Sequence, residues 1–233
     1  MPAAILIAHG APADPDPQDF TLHALAQEVG ALLPEWVIRG ATLAREGSLD
    51  CALSGLQAPL IYPFFMAEGF FTKRELPRRL EAVGFPNLTH LDPLGVDPTL
   101  PDLIARAAQK AAIAAGYVPQ DTHLLLAAHG SKIARKSKDA SFDMAEKLRG
   151  IAGFAKISVG LVEEAPFLAE AAADLGDSIC VPFFALRAGH VIGDLPEALA
   201  EANFKGPCLD PIGEHPEIPA LIAAALRRAL LQT

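Results

Sequence analysis

Leu125-Leu126-Ala127-Ala128-His129-Gly130 repeats Ile5-Leu6-Ile7-Ala8-His9-Gly10 at a distance of 120 residues. Each is an apolar run, short enough for a strand and broken by His-Gly. Working outward, Pro63-Phe64-Phe65 returns as Pro182-Phe183-Phe184, and each is followed 14 residues on by a proline, Pro77 or Pro196. Leu91-Asp92-Pro93-Leu94-Gly95 returns as Leu209-Asp210-Pro211-Ile212-Gly213. The offset drifts only from 120 to 118 along the 233-residue chain. A repeat of this length is a duplicated domain and not a solenoid unit of roughly 20 to 50 residues.

Strand-like apolar runs occur at 4–8, 36–42, 58–64 and 88–91, and again at 123–128, 156–162, 178–184 and 206–209. Between them, apolar residues at spacings of three and four mark helices, among them Phe20 to Leu33, Leu100 to Ala115, Phe142 to Leu148 and Ile218 to Leu231. The order βαβαβαβα, read twice, predicts an α/β protein of two duplicated domains. Each is a four-stranded parallel sheet flanked by helices on both faces. The strand runs are continuously apolar, as strands covered on both sides require. Gly116 and Pro119 punctuate the join, so the expected domains are 1–118 and 119–233. Strand order 2-1-3-4 would put the ligand site beyond the carboxyl ends of the strands.

Composition narrows the function. With 51% hydrophobic residues the chain can fill two cores of roughly 110 residues each. A net charge of −9 argues against nucleic acid as the partner. No apolar run of membrane-spanning length and no basic, apolar leader is present, so no membrane association and a cytoplasmic location are expected. Either a monomer or a homodimer fits. Cys51, Cys180 and Cys208 are odd in number and far apart, and read as buried structural thiols.

The copies differ where chemistry would sit. Laying Pro63 on Pro182 sets Phe71 opposite His190, and laying Ile38 on Ser158, one step either way, sets Ala44 opposite Glu163. The second copy therefore offers His129, Glu163 and His190, whereas the first keeps His9. His129 would follow strand one, Glu163 would end strand two, and His190 would lie in the loop after strand three, so the sheet brings together residues up to 61 positions apart. Neutral imidazoles suit divalent transition metals, and a carboxylate adds an oxygen ligand or a proton acceptor. Cysteines at close spacing, the mark of structural zinc, are absent, which favours a transient metal site. His9 alone reads first as a residue hydrogen-bonded to a loop and only second as a ligand.

Ala128-His129-Gly130-Ser131, then Pro182-Phe183-Phe184 with Gly189-His190-Val191 and Asp194-Leu195-Pro196, resembles the class II tetrapyrrole chelatases, specifically the CbiX-type sirohydrochlorin chelatases. The resemblance covers essentially the whole chain. It implies a sirohydrochlorin chelatase that inserts a divalent metal into a polycarboxylate tetrapyrrole in cobalamin or siroheme biosynthesis. Co2+, Fe2+ or Ni2+ would be a substrate, with no organic cofactor. His129 and His190 would be metal ligands and bases, with Glu163, or its neighbour Glu164, as the acidic assistant. The ring's carboxylates would meet Ser131, Lys132, Arg135 and Arg187, with His9 as a further contact, although the basic residues read equally as a solvated face. A cleft between the halves would hold the ring, with Phe70 and Phe71 read as ordinary core packing first and as an apolar wall to the ring second. Ala11-Pro12 and Ser131-Lys132 follow the two His-Gly pairs, where the family commonly has serine and arginine.

Other enzyme classes fail on specific residues. A histidine phosphatase needs arginine before its His-Gly, and here Ala8 and Ala128 stand there. No Gly-x-Ser-x-Gly elbow, P-loop or dinucleotide fingerprint occurs. The remaining alternative is a metal or tetrapyrrole carrier that keeps the ligands without turnover.

Overall fold

The computed structural model describes residues 1–131 and 135–231, with the backbone alone of Arg135. The first half runs β1 (Ala3–Ala8), α1 (Asp16–Leu32), β2 (Val37–Thr42), α2 (Ser48–Leu53), β3 (Leu60–Pro63), a π-helical turn (Phe71–Glu75), α3 (Leu76–Ala82) and α4 (Leu100–Ala114). The second runs β4 (His123–Ala128), α5 (Arg135–Ile151), β5 (Lys156–Leu161), α6 (Leu168–Ala172), β6 (Ser178–Pro182), α7 (Gly189–Ile192), α8 (Asp194–Glu201) and α9 (Ile218–Leu230). Among the described residues no helix is long and apolar enough to cross a membrane.

Each sheet is parallel and has the first strand of its half in the middle, in the orders β2-β1-β3 and β5-β4-β6. Apart from His123, which opens β4 and lies 2.8 Å from Ser158 Oγ, the central strands are apolar because helices cover both faces: all six residues of β4 are buried, as are Ala4 to Ala8 of β1. Corresponding registers, Ala8 with Thr42 and Ala128 with Leu161, make the two sheets equivalent residue by residue. Pro77 and Pro196 fall in the first turns of α3 and α8, where proline is tolerated.

The sheets have three strands and not the four expected. The segments at 88–91 and 206–209 do lie beside β3 and β6, as order 2-1-3-4 requires, but each is reduced to one bridge, Ile61 with His90 and Cys180 with Cys208. Two hydrogen bonds flank each bridge: Ile61 N–H to Thr89 O and Leu91 N–H to Ile61 O, then Cys180 N–H to Pro207 O and Leu209 N–H to Cys180 O. Proline is the physical reason. Pro93, Pro207 and Pro211 supply no N–H and stop the ladder from growing past the bridge.

The chain forms two compact units whose membership departs from the sequence halves. One unit is Met1–Asp97 with the segment from Pro216 onward, and the other is Pro98–His215. Helix α9 thus closes the first unit: it packs on α1, Arg227 donates to Leu32 O (2.9 Å), and Arg228 pairs with Asp97 (2.7 Å). Helix α4 closes the second, packing on α5 and β6, with Gln109 Nε2 donating to Ala152 O (2.9 Å). The cysteines also differ from expectation. Only Cys180 is buried, whereas Cys51 and Cys208 are exposed.

Candidate metal centre

The site is built where β4, β5 and β6 end. Past β4 the chain turns at Gly130, whose φ of +70° suits glycine, and a Cβ there would stand 3.0 Å from Glu164 Cγ and 3.2 Å from Leu161 Cβ. Beside it the β4–β5 pairing runs two steps past the strands: Val162 N–H donates to Ala128 O and Glu163 N–H to His129 O, both at 3.0 Å. Those bonds hold Glu163 alongside His129. After β6, Phe183 N–H donates to Ala127 O (2.7 Å), and the chain reaches the one-turn helix α7, not the loop expected, on which His190 sits.

The three expected residues meet. His129, Glu163 and His190 offer ligand atoms that all lie within 4.8 Å of one another, and among the described residues no other such group of three or more occurs. The imidazoles stand edge to face, centroids 4.1 Å apart at 80°. Each has one nitrogen tied down. His129 Nδ1 lies 2.7 Å from Gly130 O, and since a carbonyl only accepts, the proton sits on Nδ1. His190 Nδ1 lies 2.6 Å from Asp194 Oδ2, one helical turn on. Both rings therefore offer Nε2 as the lone-pair nitrogen, the arrangement in which an outer carboxylate or carbonyl orients a metal-binding imidazole. His190 Nε2 lies 3.9 Å from Glu163 Oε1, and the two side chains are 39% and 34% exposed. Two ligands on opposite sides of one ion at about 2.1 Å are about 4.2 Å apart. The cluster is thus close to gripping distance, slightly open and accessible to solvent.

Glu164 faces elsewhere. Its Oε1 accepts the Ser131 N–H (2.8 Å), and its Oε2 lies 3.6 Å from Lys138 Nζ. Lys138 also donates to Ala165 O (2.5 Å) and lies over the Phe142 ring. Glu164 holds the loop that presents His129, and Glu163 is the carboxylate that joins the histidines. Arg187 is not in the cluster: its guanidinium is held by Asp210 and Glu214, and its N–H donates to Glu214 Oε1 (2.6 Å). Those carboxylates raise the Arg187 pKa, the Asp210 hydrogen bond most. Lys132 and the Arg135 side chain lie outside the described residues.

The first unit shows the same frame with the chemistry removed. Ala44 N–H donates to His9 O (2.9 Å), the bond that Glu163 makes to His129. Phe71 packs edge-on against His9 with centroids 4.3 Å apart, as His190 does against His129. Glu75, the counterpart of Asp194, is turned to Arg78 and Arg79, whose hydrogen bonds lower its pKa to about 2. His9 is outside the cluster, and its Nδ1 is buried with no hydrogen-bond partner. Sequence reasoning did not give Asp194 a role. Its spacing of four from His190 was the available signal, but that spacing pairs side chains only on a helix.

Two imidazoles with free Nε2 atoms and a carboxylate, set beyond the carboxyl ends of a parallel sheet and answered in the other unit by His9, Ala44 and Phe71, define a duplicated α/β protein of chelatase type. The family model CbiX matches residues 3–111 and 123–229, and the chain belongs to that family. A solved CbiX, described as the terminal enzyme for biosynthesis of siroheme in denitrifying bacteria, aligns with a TM-score of 0.90 at 44% identity, covering 98% of this chain and 99% of that one. SirB from Bacillus subtilis, solved with Fe3+, shares the fold with a TM-score of 0.71 at 17% identity, over 98% of this chain and 95% of its own. The probable sirohydrochlorin cobaltochelatase of Halobacterium salinarum is 23% identical over 228 residues, 84% of this chain and 76% of that protein.

Proposed function

We propose that this protein is a sirohydrochlorin chelatase that inserts Co2+ or Fe2+ into the ring, with His129, Glu163 and His190 as the groups that carry the chemistry. One observation carries the reading: both imidazoles have Nδ1 committed, so two Nε2 lone pairs converge with a carboxylate at one accessible place. The metal and the tetrapyrrole are both substrates. Membership of the CbiX family and the names of its relatives supply the ring.

The residues suit the three demands of insertion. Stripping water from a divalent ion needs replacement donors, which His129 and His190 provide. Releasing the ion to the ring requires that it not be fully enclosed, and three partly exposed ligands leave coordination positions open. Two pyrrole protons must leave the ring, and an imidazole or carboxylate is a competent acceptor near neutral pH. Glu163 takes the first proton as the ion leaves its oxygen. Asp194 keeps His190 in the tautomer that binds metal and stabilises the imidazolium once Nε2 has taken a proton. The ring's carboxylates are met by the basic residues that follow His129 and by Arg187, which would exchange Asp210 or Glu214 for a substrate carboxylate.

The test is purified protein with sirohydrochlorin and Co2+ or Fe2+ in parallel, followed by the visible spectrum of the ring. Metal-dependent acceleration over the protein-free rate supports the proposal, and the faster ion identifies the metal. Binding of ion and ring with no acceleration would make the protein a carrier.

A further inference from the structure

Cys180 in β6 and Cys208 in the segment beside it are register partners of a parallel bridge, fixed by Cys180 N–H to Pro207 O (2.8 Å) and Leu209 N–H to Cys180 O (2.9 Å). Directly facing residues of neighbouring strands put their side chains on one face of the sheet. Their strand spacing of about 4.8 Å falls within the Cα separation that a disulfide spans, roughly 4.4 to 6.8 Å. Both thiols are free. Cys180 is wholly buried among Leu125, Leu195 and Leu199, whereas Cys208 is exposed. The same bridge in the first unit joins Ile61 to His90, so the thiol pair belongs to the metal-site unit alone. Because only one bridge holds residues 207–209 to β6, the segment can move by the fraction of an ångström that a covalent bond asks.

We propose that Cys180 and Cys208 are a reversible thiol–disulfide pair, with Cys208 the entry thiol and a glutathione-type disulfide the oxidant. The Cys208 thiolate attacks one sulfur of glutathione disulfide, forming a mixed disulfide and releasing one glutathione thiolate, which takes up the proton Cys208 lost. Cys180 then gives up its proton and attacks the Cys208 sulfur, and the second glutathione leaves as the thiol. Two protein thiols are oxidised, one glutathione disulfide is reduced to two thiols, and a reductant thiol runs both steps backward. The two sulfurs already interact in the required sense. The contact with Cys208 raises the Cys180 pKa, and burial adds to the rise. The hydrogen bond from Cys180 lowers the Cys208 pKa, against partial burial and Asp210, with Arg187 helping. The exposed member is the thiolate former, and the buried member resolves. The pairing is independent of the proposed activity.

The experiment treats the full chain with glutathione disulfide and maps peptides by mass spectrometry without reduction. Cys51 is exposed and serves as an internal control for active oxidant. The wild-type chain is expected to yield a Cys180–Cys208 crosslink that dithiothreitol removes. Cys180→Ala is expected to stop at a glutathione adduct on Cys208, and Cys208→Ser to leave residue 180 unmodified while remaining folded by circular dichroism. A wild-type chain that carries glutathione on Cys51 but keeps both Cys180 and Cys208 alkylatable would overturn the proposal. So would a glutathione adduct on Cys208 that persists although Cys180 is present.

Discussion

An imidazole presents one nitrogen to a ligand most readily when a partner fixes the proton on the other, and at His190 that partner is Asp194 at 2.6 Å. Removing an outer carboxylate of this kind typically costs about 10- to 100-fold in metal affinity. Asp194→Ala is therefore expected to weaken Co2+ binding by that factor in isothermal titration, with Asp194→Asn, whose amide oxygen can still accept from Nδ1, falling between it and the wild type. An unchanged affinity in Asp194→Ala would remove Asp194 from the site. The asymmetry of the copies makes a second prediction. His190→Ala should lower turnover by about 100-fold or more, the scale of a lost acid–base group, and His129→Ala likewise. His9→Ala should retain most of the wild-type rate, because His9 lies in the other unit against Phe71. Equal losses at positions 9 and 190 would refute the assignment. The cluster of His129, Glu163 and His190 was legible because the duplication supplies its own alignment: Phe71 opposite His190 and Ala44 opposite Glu163 mark where the two copies differ. The difference between Glu163 and Glu164 was not legible. It depends on which way two adjacent side chains leave the end of β5: Glu163 lies with the two histidines, and Glu164 accepts the Ser131 N–H.

At the scale of elements, short polar devices lock helices and loops onto the sheets. In the first unit, Asp19 of α1 accepts from the Thr42 N–H (3.1 Å) and hydroxyl (2.9 Å) at the end of β2, from Ser48 Oγ (2.6 Å) at the start of α2, and from Arg45 (2.6 Å). Burial alone would raise its pKa, but the bonds from Ser48, Arg45 and Thr42 prevail and hold it at about 2. The folded-state value lies below the unfolded one, so the stabilisation is complete above the unfolded value of about 3.9 and is lost as pH falls through about 2. A depression of this size is worth about 2 kcal/mol. Urea denaturation between pH 5 and about 2 should show that loss in the wild type and little of it in Asp19→Asn. The repeated Leu-Asp-Pro-Ile-Gly motif has a parallel explanation. Gly213 donates its N–H to Phe184 O (3.0 Å) and presses so close that a Cβ would stand 2.1 Å from Ala185 O. Gly95 does the same against Met66 O at 1.9 Å. Gly213→Ala is expected to destabilise the chain by about 3 kcal/mol, since backbone cannot yield as a side chain can. Thermal unfolding measures it, and a shift within error would sink the argument. The motif was visible in the sequence; the contact it serves was not, because that contact joins segments brought together only by the fold. The missing fourth strand has the same origin, since its apolar residues read as a strand while its prolines limit it to a single bridge.

For the molecule as a whole, the repeat in the sequence and the unit in space are different objects. Family matches fall on the two sequence copies, 3–111 and 123–229, yet the compact units take their closing helices from opposite copies. Sequence could not reveal this, because α4 and α9 hold the same place in their copies and both carry an apolar stripe. Burial shows what is at stake. Helix α4 buries Leu103, Ile104, Ala107 and Ala108, and α9 buries Leu221, Ile222 and Leu226. A fully buried leucine or isoleucine contributes about 1.5 to 3 kcal/mol, so losing a closing helix costs on the order of the whole stability of a small domain. A fragment spanning 98–215 holds α4 against α5 and β6 and carries His129, Glu163, His190 and Asp194 together. It is expected to unfold cooperatively in urea and to bind Co2+. The fragment 119–233 contains the same ligands but lacks α4, and it keeps α9 without its partner α1. It is expected to show no cooperative transition and to bind 1-anilinonaphthalene-8-sulfonate through the uncovered face. If 119–233 folds as well as 98–215, α4 does not close the unit that holds the metal site.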